Sequence, residues 1–267
     1  MNIVDINTCF GTSPTRRVQY AEVVTAARHF DDPANARPTF QDIDWSLEHL
    51  QAVLKRHAVD YALTYSMRGK LYDFVAGNSE THQVTQTDER LVPAATIDPR
   101  RHFDCLEEVE RCLEMGMKVF RFFPEQQGWT PDGLPFLRLC EELAPHDAAV
   151  MLPAGSWGNQ STIARRLADM DINVIIAGAT FAAIAESMSL ADYANIFWET
   201  SAMHPVQAIE SMVSEAGAER LLFGSNSPEW SFEAASNLLQ VADITESDRA
   251  AIIGGNAIEL LDLEAAD

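Results

Sequence analysis

The chain is poor in positive charge. Nineteen Lys and Arg stand against forty Asp and Glu, a formal net charge of −21, and the only lysines are Lys55, Lys70 and Lys118. Nucleic acids and anionic membrane surfaces are bound by basic residues that neutralise phosphate, so neither kind of partner is expected. Long apolar runs are missing too, and nothing approaches the roughly 18 residues of a membrane span. The opening Met-Asn-Ile-Val-Asp-Ile has no basic segment of the kind that starts a signal peptide, which makes a soluble, cytoplasmic chain the expectation. Cysteine is scarce. Cys9, Cys105, Cys112 and Cys140 form no Cys-x-x-Cys pair and read as reduced, partly buried thiols. No Gly-x-Gly-x-x-Gly or Gly-x-x-x-x-Gly-Lys-Ser/Thr follows an apolar run, which weakens a nucleotide-binding, doubly wound sheet.

What is present is alternation. Apolar, strand-like runs occur at Ile3–Thr8, Tyr61–Ser66, Leu91–Ile97, Met117–Phe123, Ala148–Leu152, Asn173–Ala177, Asn195–Thr200 and Arg220–Gly224. Amphipathic stretches lie between them, among them Trp45–Arg56, Phe103–Met115, Phe136–Leu143, Ile163–Met170 and Val206–Ala216. Thr245 is placed to cap a short helix, and Asn256, with Glu259 three residues on, to cap the last. Eight strands in 267 residues give about 33 residues per unit, the size of a βαβ step. The expectation is an α/β protein, a single (β/α)₈ barrel over residues 1–267. The irregular segment 11–39 would then lie over the C-terminal face, where such barrels build their sites.

Several strings resemble the amidohydrolase-related family, metal-dependent barrels that include small-carboxylate hydrolases and decarboxylases. Asp5-Ile-Asn-Thr-Cys-Phe-Gly11 is similar to its Asp-x-His-x-His-x-Gly opening, and Gly116-Met-Lys-Val-Phe-Arg-Phe-Phe-Pro124 to its fourth strand. Arg220-Leu-Leu-Phe-Gly-Ser-Asn-Ser-Pro228 resembles its Arg-Ile/Leu-Leu-Phe-Gly-Ser-Asp-x-Pro strand end, and Ile253-Gly-Gly-Asn-Ala257 its closing Gly-Gly-Asn-Ala. The resemblance implies metal ligands at two histidines of strand one, histidines after strands five and six, and the aspartate of strand eight. The matching positions here are Asn7, Cys9, Pro153, Gly178 and Asn226, so all five have changed. Proline and glycine side chains carry no donor, asparagine offers only a neutral carbonyl, and one thiolate is not a site. No metal or other cofactor is therefore expected, and the ordinary metal site reads as degenerate.

Three functional readings remain. In the first, the barrel is a metal-independent hydrolase or lyase acting on a small carboxylated or carbonyl compound. Cys9, His204 and Glu199 are its catalytic candidates, with Cys9 and His204 a nucleophile–base pair. Asn7, Tyr65, Arg121, Glu125, Trp157, Asn226 and Trp230 would surround the substrate. Arg121 needs a carboxylate, from Glu125, from Glu199 or from the ligand. Tyr65, Trp157, Trp198 and Trp230 lie near strand ends and would either wall a pocket or plug the hollow. In the second reading, a non-catalytic barrel binds a small molecule or a protein. In the third, Cys9, His204 and a glutamate form a rearranged metal site in a hydrolase. A homo-oligomer is compatible with all three.

Overall fold

The computed structural model describes residues 2–11 and 44–265. Eight strands run β1 (Val4–Phe10), β2 (Tyr61–Ser66), β3 (Leu91–Thr96), β4 (Val119–Arg121), β5 (Ala149–Pro153), β6 (Asn173–Ala177), β7 (Ile196–Glu199) and β8 (Leu221–Leu222). Each pairs in parallel with the next in sequence. The ring closes where the Ile6 N–H donates to Phe223 O and the Cys9 N–H to Ser227 O, both at 3.0 Å. This is the single (β/α)₈ barrel expected from the alternation. Among the described residues no helix is long and apolar enough to cross a membrane.

The helices fill the intervals: α1 (Leu47–Arg56), α2 (Met67–Leu71), α3 (Phe74–Thr85), α4 (His102–Glu114), α5 (Pro124–Gln127), α6 (Leu134–Leu143), α7 (Asn159–Leu167), α8 (Phe181–Met188), α9 (Ala208–Ala216), α10 (Phe232–Val241), α11 (Glu246–Ala250) and α12 (Asn256–Leu261). Side-chain caps fix several starts. Ser46 accepts from the His49 N–H, Asp73 from Ala76, Ser231 from Ala234 and Thr245 from Asp248. The proposed Asn256 cap is a correction. A π-helical turn, Ala251–Gly255, runs straight into α12, and the Asn256 amide instead donates to Ala218 O and Leu221 O, both at 2.7 Å, tying the last helix to β8.

Strand alternation sorts the core into two layers. Val119, Met151, Ile175 and Leu222 point into the barrel, whereas Phe120, Val150, Ile176 and Trp198 point out against the helices. The inner layer is small and apolar at the bottom and turns polar at the C-terminal ends of the strands. A register shift in β1 between Asp5 and Thr8 leaves both Ile6 and Cys9 in the inner layer. Such a bulge re-aims side chains next to sites.

Candidate functional site

Four side chains from four strands converge at the C-terminal mouth. Glu199 ends β7 and is completely buried. Its carboxylate accepts from Asn7 Nδ2 (3.0 Å), the Gly178 N–H (3.1 Å), the Ser201 N–H (2.5 Å) and Ser201 Oγ (2.9 Å). A Cβ on Gly224 would stand 2.3 Å from Glu199 Oε1, so the chain after β8 can pass this carboxylate only as glycine. Burial pushes the Glu199 pKa up, while the Ser201 bonds, the Arg121 charge and the Asn7 bond act in the opposite direction.

Arg121 ends β4 and is only 6% exposed. Its Nη1 donates to Asn7 Oδ1 at 2.6 Å. The guanidinium carbon lies 4.6 Å from the centre of the Tyr65 ring and 5.3 Å from that of Phe123, both cation–π contacts. Its Nε is buried and has no hydrogen-bond partner. The Asn7 amide therefore stands between the two charges, accepting from Arg121 and donating to Glu199. Neither expected carboxylate pairs directly with Arg121. Glu199 meets it only through Asn7, and Glu125, exposed in the first turn of α5, lies 3.4 Å from Ser156 Oγ instead.

Cys9 sits beside Tyr65 in the inner layer, its Sγ 3.9 Å from Ser227 O, and burial pushes its pKa up to about 12. A thiol so desolvated is protonated and a poor nucleophile. Burial likewise raises the Tyr65 phenol well above its ordinary range. His204 is exposed, with its ring 5.3 Å from that of Trp230. The expected Cys9–His204 pair does not form, because the loop after β7 carries His204 outward while β1 holds Cys9 inside. Trp157 and Trp230 are 71% and 41% exposed. Trp198 is fully buried in the outer layer, facing away from the mouth, which corrects its expected position there. Segment 11–39 lies, from residue 12 onward, outside the described residues.

One buried acid was missed. Asp5 is fully buried; its carboxyl accepts from the Ser225 N–H (2.9 Å), Ser225 Oγ (2.5 Å) and the Asn7 N–H (3.1 Å). Burial raises its pKa to about 7 against those bonds. The available signal was Asp5 two residues before Asn7 on a strand whose other residues are apolar or small.

The five positions that the resemblance assigns to metal do not suit a divalent cation. Both ends of the Asn7 amide are engaged, one of them by a guanidinium whose positive charge would repel a metal. Cys9 holds its proton, Pro153 has no donor, and Gly178 contributes only an N–H turned toward Glu199. Asn226, at φ 55°, donates its amide to Glu229 Oε2 at 3.1 Å. Among the described residues no three His, Cys, Asp or Glu side chains converge as a metal site would require.

Comparison with known proteins places this geometry in a family. The chain superposes on a dihydroxybenzoic acid decarboxylase from Polaromonas sp., solved with manganese and 2-nitroresorcinol, with a TM-score of 0.74 and 15% identity over 100% of this chain and 98% of that one. A 2,6-dihydroxybenzoate decarboxylase in complex with 2,6-dihydroxybenzoate gives 0.78 and 14%, over 98% and 99% of the two chains. A 5-carboxyvanillate decarboxylase from Sphingomonas paucimobilis gives 0.71 and 14%, again over 98% and 99%. At these identities the likeness is one of fold. No curated protein matches the sequence. The sequence profile of the amidohydrolase family matches residues 73–263, most of the barrel, and the chain belongs to that family.

Proposed function

We propose that this barrel binds a small carboxylated compound at its mouth through Arg121, and that it works without a divalent metal. The observation that carries the reading is the buried Arg121 Nε with no partner, on a guanidinium that Asn7, Tyr65 and Phe123 hold in place. A guanidinium supplies a fork of donors matched to a carboxylate, and a charge-assisted bond from a pre-positioned arginine loses little side-chain entropy on binding. Carboxylated aromatic ligands suit the flat Tyr65 and Phe123 rings, and the decarboxylases that share the fold act on such compounds. Any turnover is then metal-independent hydrolysis or lyase chemistry on the bound carboxylate.

A second reading, binding without turnover, has its own support. Glu199 spends its lone pairs on protein donors, Cys9 stays protonated, and His204 lies with Trp230 outside the network. The test is calorimetric titration of chelator-treated protein with benzoate and 2,6-dihydroxybenzoate, followed by chromatography of the ligand after incubation. Saturable binding that weakens by about tenfold or more in Arg121→Gln is expected, since a charged hydrogen bond contributes roughly 1.5–3 kcal/mol. Binding that appears only when manganese is added would overturn the proposal. Consumption of the ligand would decide for catalysis over binding alone.

A further inference from the structure

Charge is unevenly shared around the C-terminal face. Asp, Glu, Lys and Arg make up 22% of the chain. Yet residues 154–164, 178–185 and 200–209, which follow β5, β6 and β7 on that face, include none of them. The described loops after β2, β3, β4 and β8 are charged by contrast. Arg68 and Lys70 follow β2, Asp98, Arg100 and Arg101 follow β3, Glu125 follows β4, and Glu229 and Glu233 follow β8.

The uncharged stretches adjoin one another and carry apolar tips. Trp157, after β5, is 71% exposed, and Val206, after β7, is 94% exposed. Glu186, the first acid beyond the second stretch, is turned inward and only 4% exposed. Its carboxylate accepts from the Gly158 N–H (2.9 Å), the Ser161 N–H (2.7 Å) and Ser161 Oγ (2.6 Å), which ties α8 to the loop carrying Trp157. A Cβ on Gly178 would lie 4.0 Å from Ala202 Cβ, so the chain after β6 packs on the chain after β7. His204 extends the surface to Trp230, their rings 5.3 Å apart. The exposed side chains therefore stand on loops fastened from beneath, and little order is left to be gained on binding.

We infer that this uncharged sector is an interface with a second copy of the chain, packed face to face about a two-fold axis. The identity of the occupant follows from the charge. Each copy carries −21, so two copies repel wherever their acidic surfaces meet. About a two-fold axis a patch meets itself, and a carboxylate near the axis would face its own image. A patch for a second copy must exclude charge and offer apolar anchors, and these loops do both. Interface cores show the same pattern, depleted of charge and enriched in Trp. A basic partner would find carboxylates to pair with over the rest of the surface, and a sector without them would neither steer nor orient it. The inference does not depend on what Arg121 binds.

The test is sedimentation velocity of the full chain over a range of concentrations. A reversible dimer is expected, of twice the 29.6 kDa chain mass. Raising NaCl from about 0.05 M to about 0.5 M should tighten it by about tenfold or more, because salt screens the repulsion and leaves the apolar contact intact. Trp157→Glu and Val206→Glu place carboxylates on the patch at positions too exposed to disturb folding, which circular dichroism checks. Each should weaken the dimer by about tenfold or more, since like charges would then meet across the axis. Val241→Glu is the control, an 80% exposed apolar side chain at the far end of α10, and should leave the dimer unchanged. A chain that stays monomeric throughout, a dimer that weakens with salt, or one indifferent to Trp157→Glu and Val206→Glu would overturn the interface. So would a monomer that binds neutral phosphatidylcholine vesicles through the same two residues, which would assign the patch to a lipid surface.

Discussion

On the β7–β8–β1 side of the barrel, two carboxyl groups, Asp5 and Glu199, are sealed from water, and protein donors meet each of them: Ser225 and Asn7 for Asp5; Asn7, Gly178 and Ser201 for Glu199. On the β4 side, Arg121 is almost as deeply buried, yet among the described residues its guanidinium makes only the Asn7 bond, and Nε is left unpaired. One wall of the mouth is a finished polar network; the other keeps an unspent donor. A finished network contributes stability and specifies the local backbone, whereas an unspent buried donor costs stability and gains it back only when something binds. Under the proposed function, the acids hold structure and the arginine binds.

The largest expected effect tests that assignment directly. Glu199→Ala strips the acceptor from Asn7, Gly178 and Ser201 together and should cost about 3–5 kcal/mol in urea unfolding, the range for removing one partner of a buried charged network. Arg121→Met removes a charge whose burial is only partly compensated, keeps much of the apolar contact with Tyr65 and Phe123, and should change stability by about 1 kcal/mol or less. Equal losses would abolish the distinction between the walls.

The next test separates the two acids by pH. The Asp5 pKa rises from 3.8 to about 7 on folding, so the folded state holds a proton that the unfolded state has released. The associated stability is fully present below about pH 4 and is lost as the pH climbs through 7, an amount on the order of 4 kcal/mol. Asp5→Asn, which keeps the size and an acceptor for the Ser225 N–H, should gain relative to the parent across that window. The readout is the difference between the two proteins' unfolding free energies at pH 4 and pH 8. A flat difference would mean that Asp5 is ionised throughout and that its wall carries a permanent charge.

How far the sequence revealed this contrast depends on which residue is asked. The barrel was legible because eight apolar runs at regular spacing leave few other solutions, and the inward face of Arg121 followed from its place between Val119 and Phe123. Its partner did not, because Asn7 reads as a lost histidine rather than as a relay between charges 114 and 192 positions further along the chain. The Cys9–His204 pairing failed for the same reason. Shared placement at strand ends does not say whether a following loop turns a side chain in or out, and the loop after β7 turns His204 out. Trp198 needed only parity. One residue before Glu199 on the same strand, it must face the other layer.

The smallest expected effects fall on residues that the comparison leaves outside both walls. His204 is exposed and touches Trp230, itself half open to solvent, so its removal breaks no buried contact. His204→Ala should leave unfolding free energy within about 0.5 kcal/mol of the parent, and benzoate affinity unchanged. Cys9, with its pKa pushed up to about 12, should resist a thiol-directed reagent in the folded protein and react on denaturation. If His204→Ala instead abolished benzoate binding while Arg121→Gln spared it, the working wall of the mouth would be the loop after β7. Arg121 would then be a structural cation held by the Asn7 relay, and its unpaired Nε a cost with no ligand to recover it.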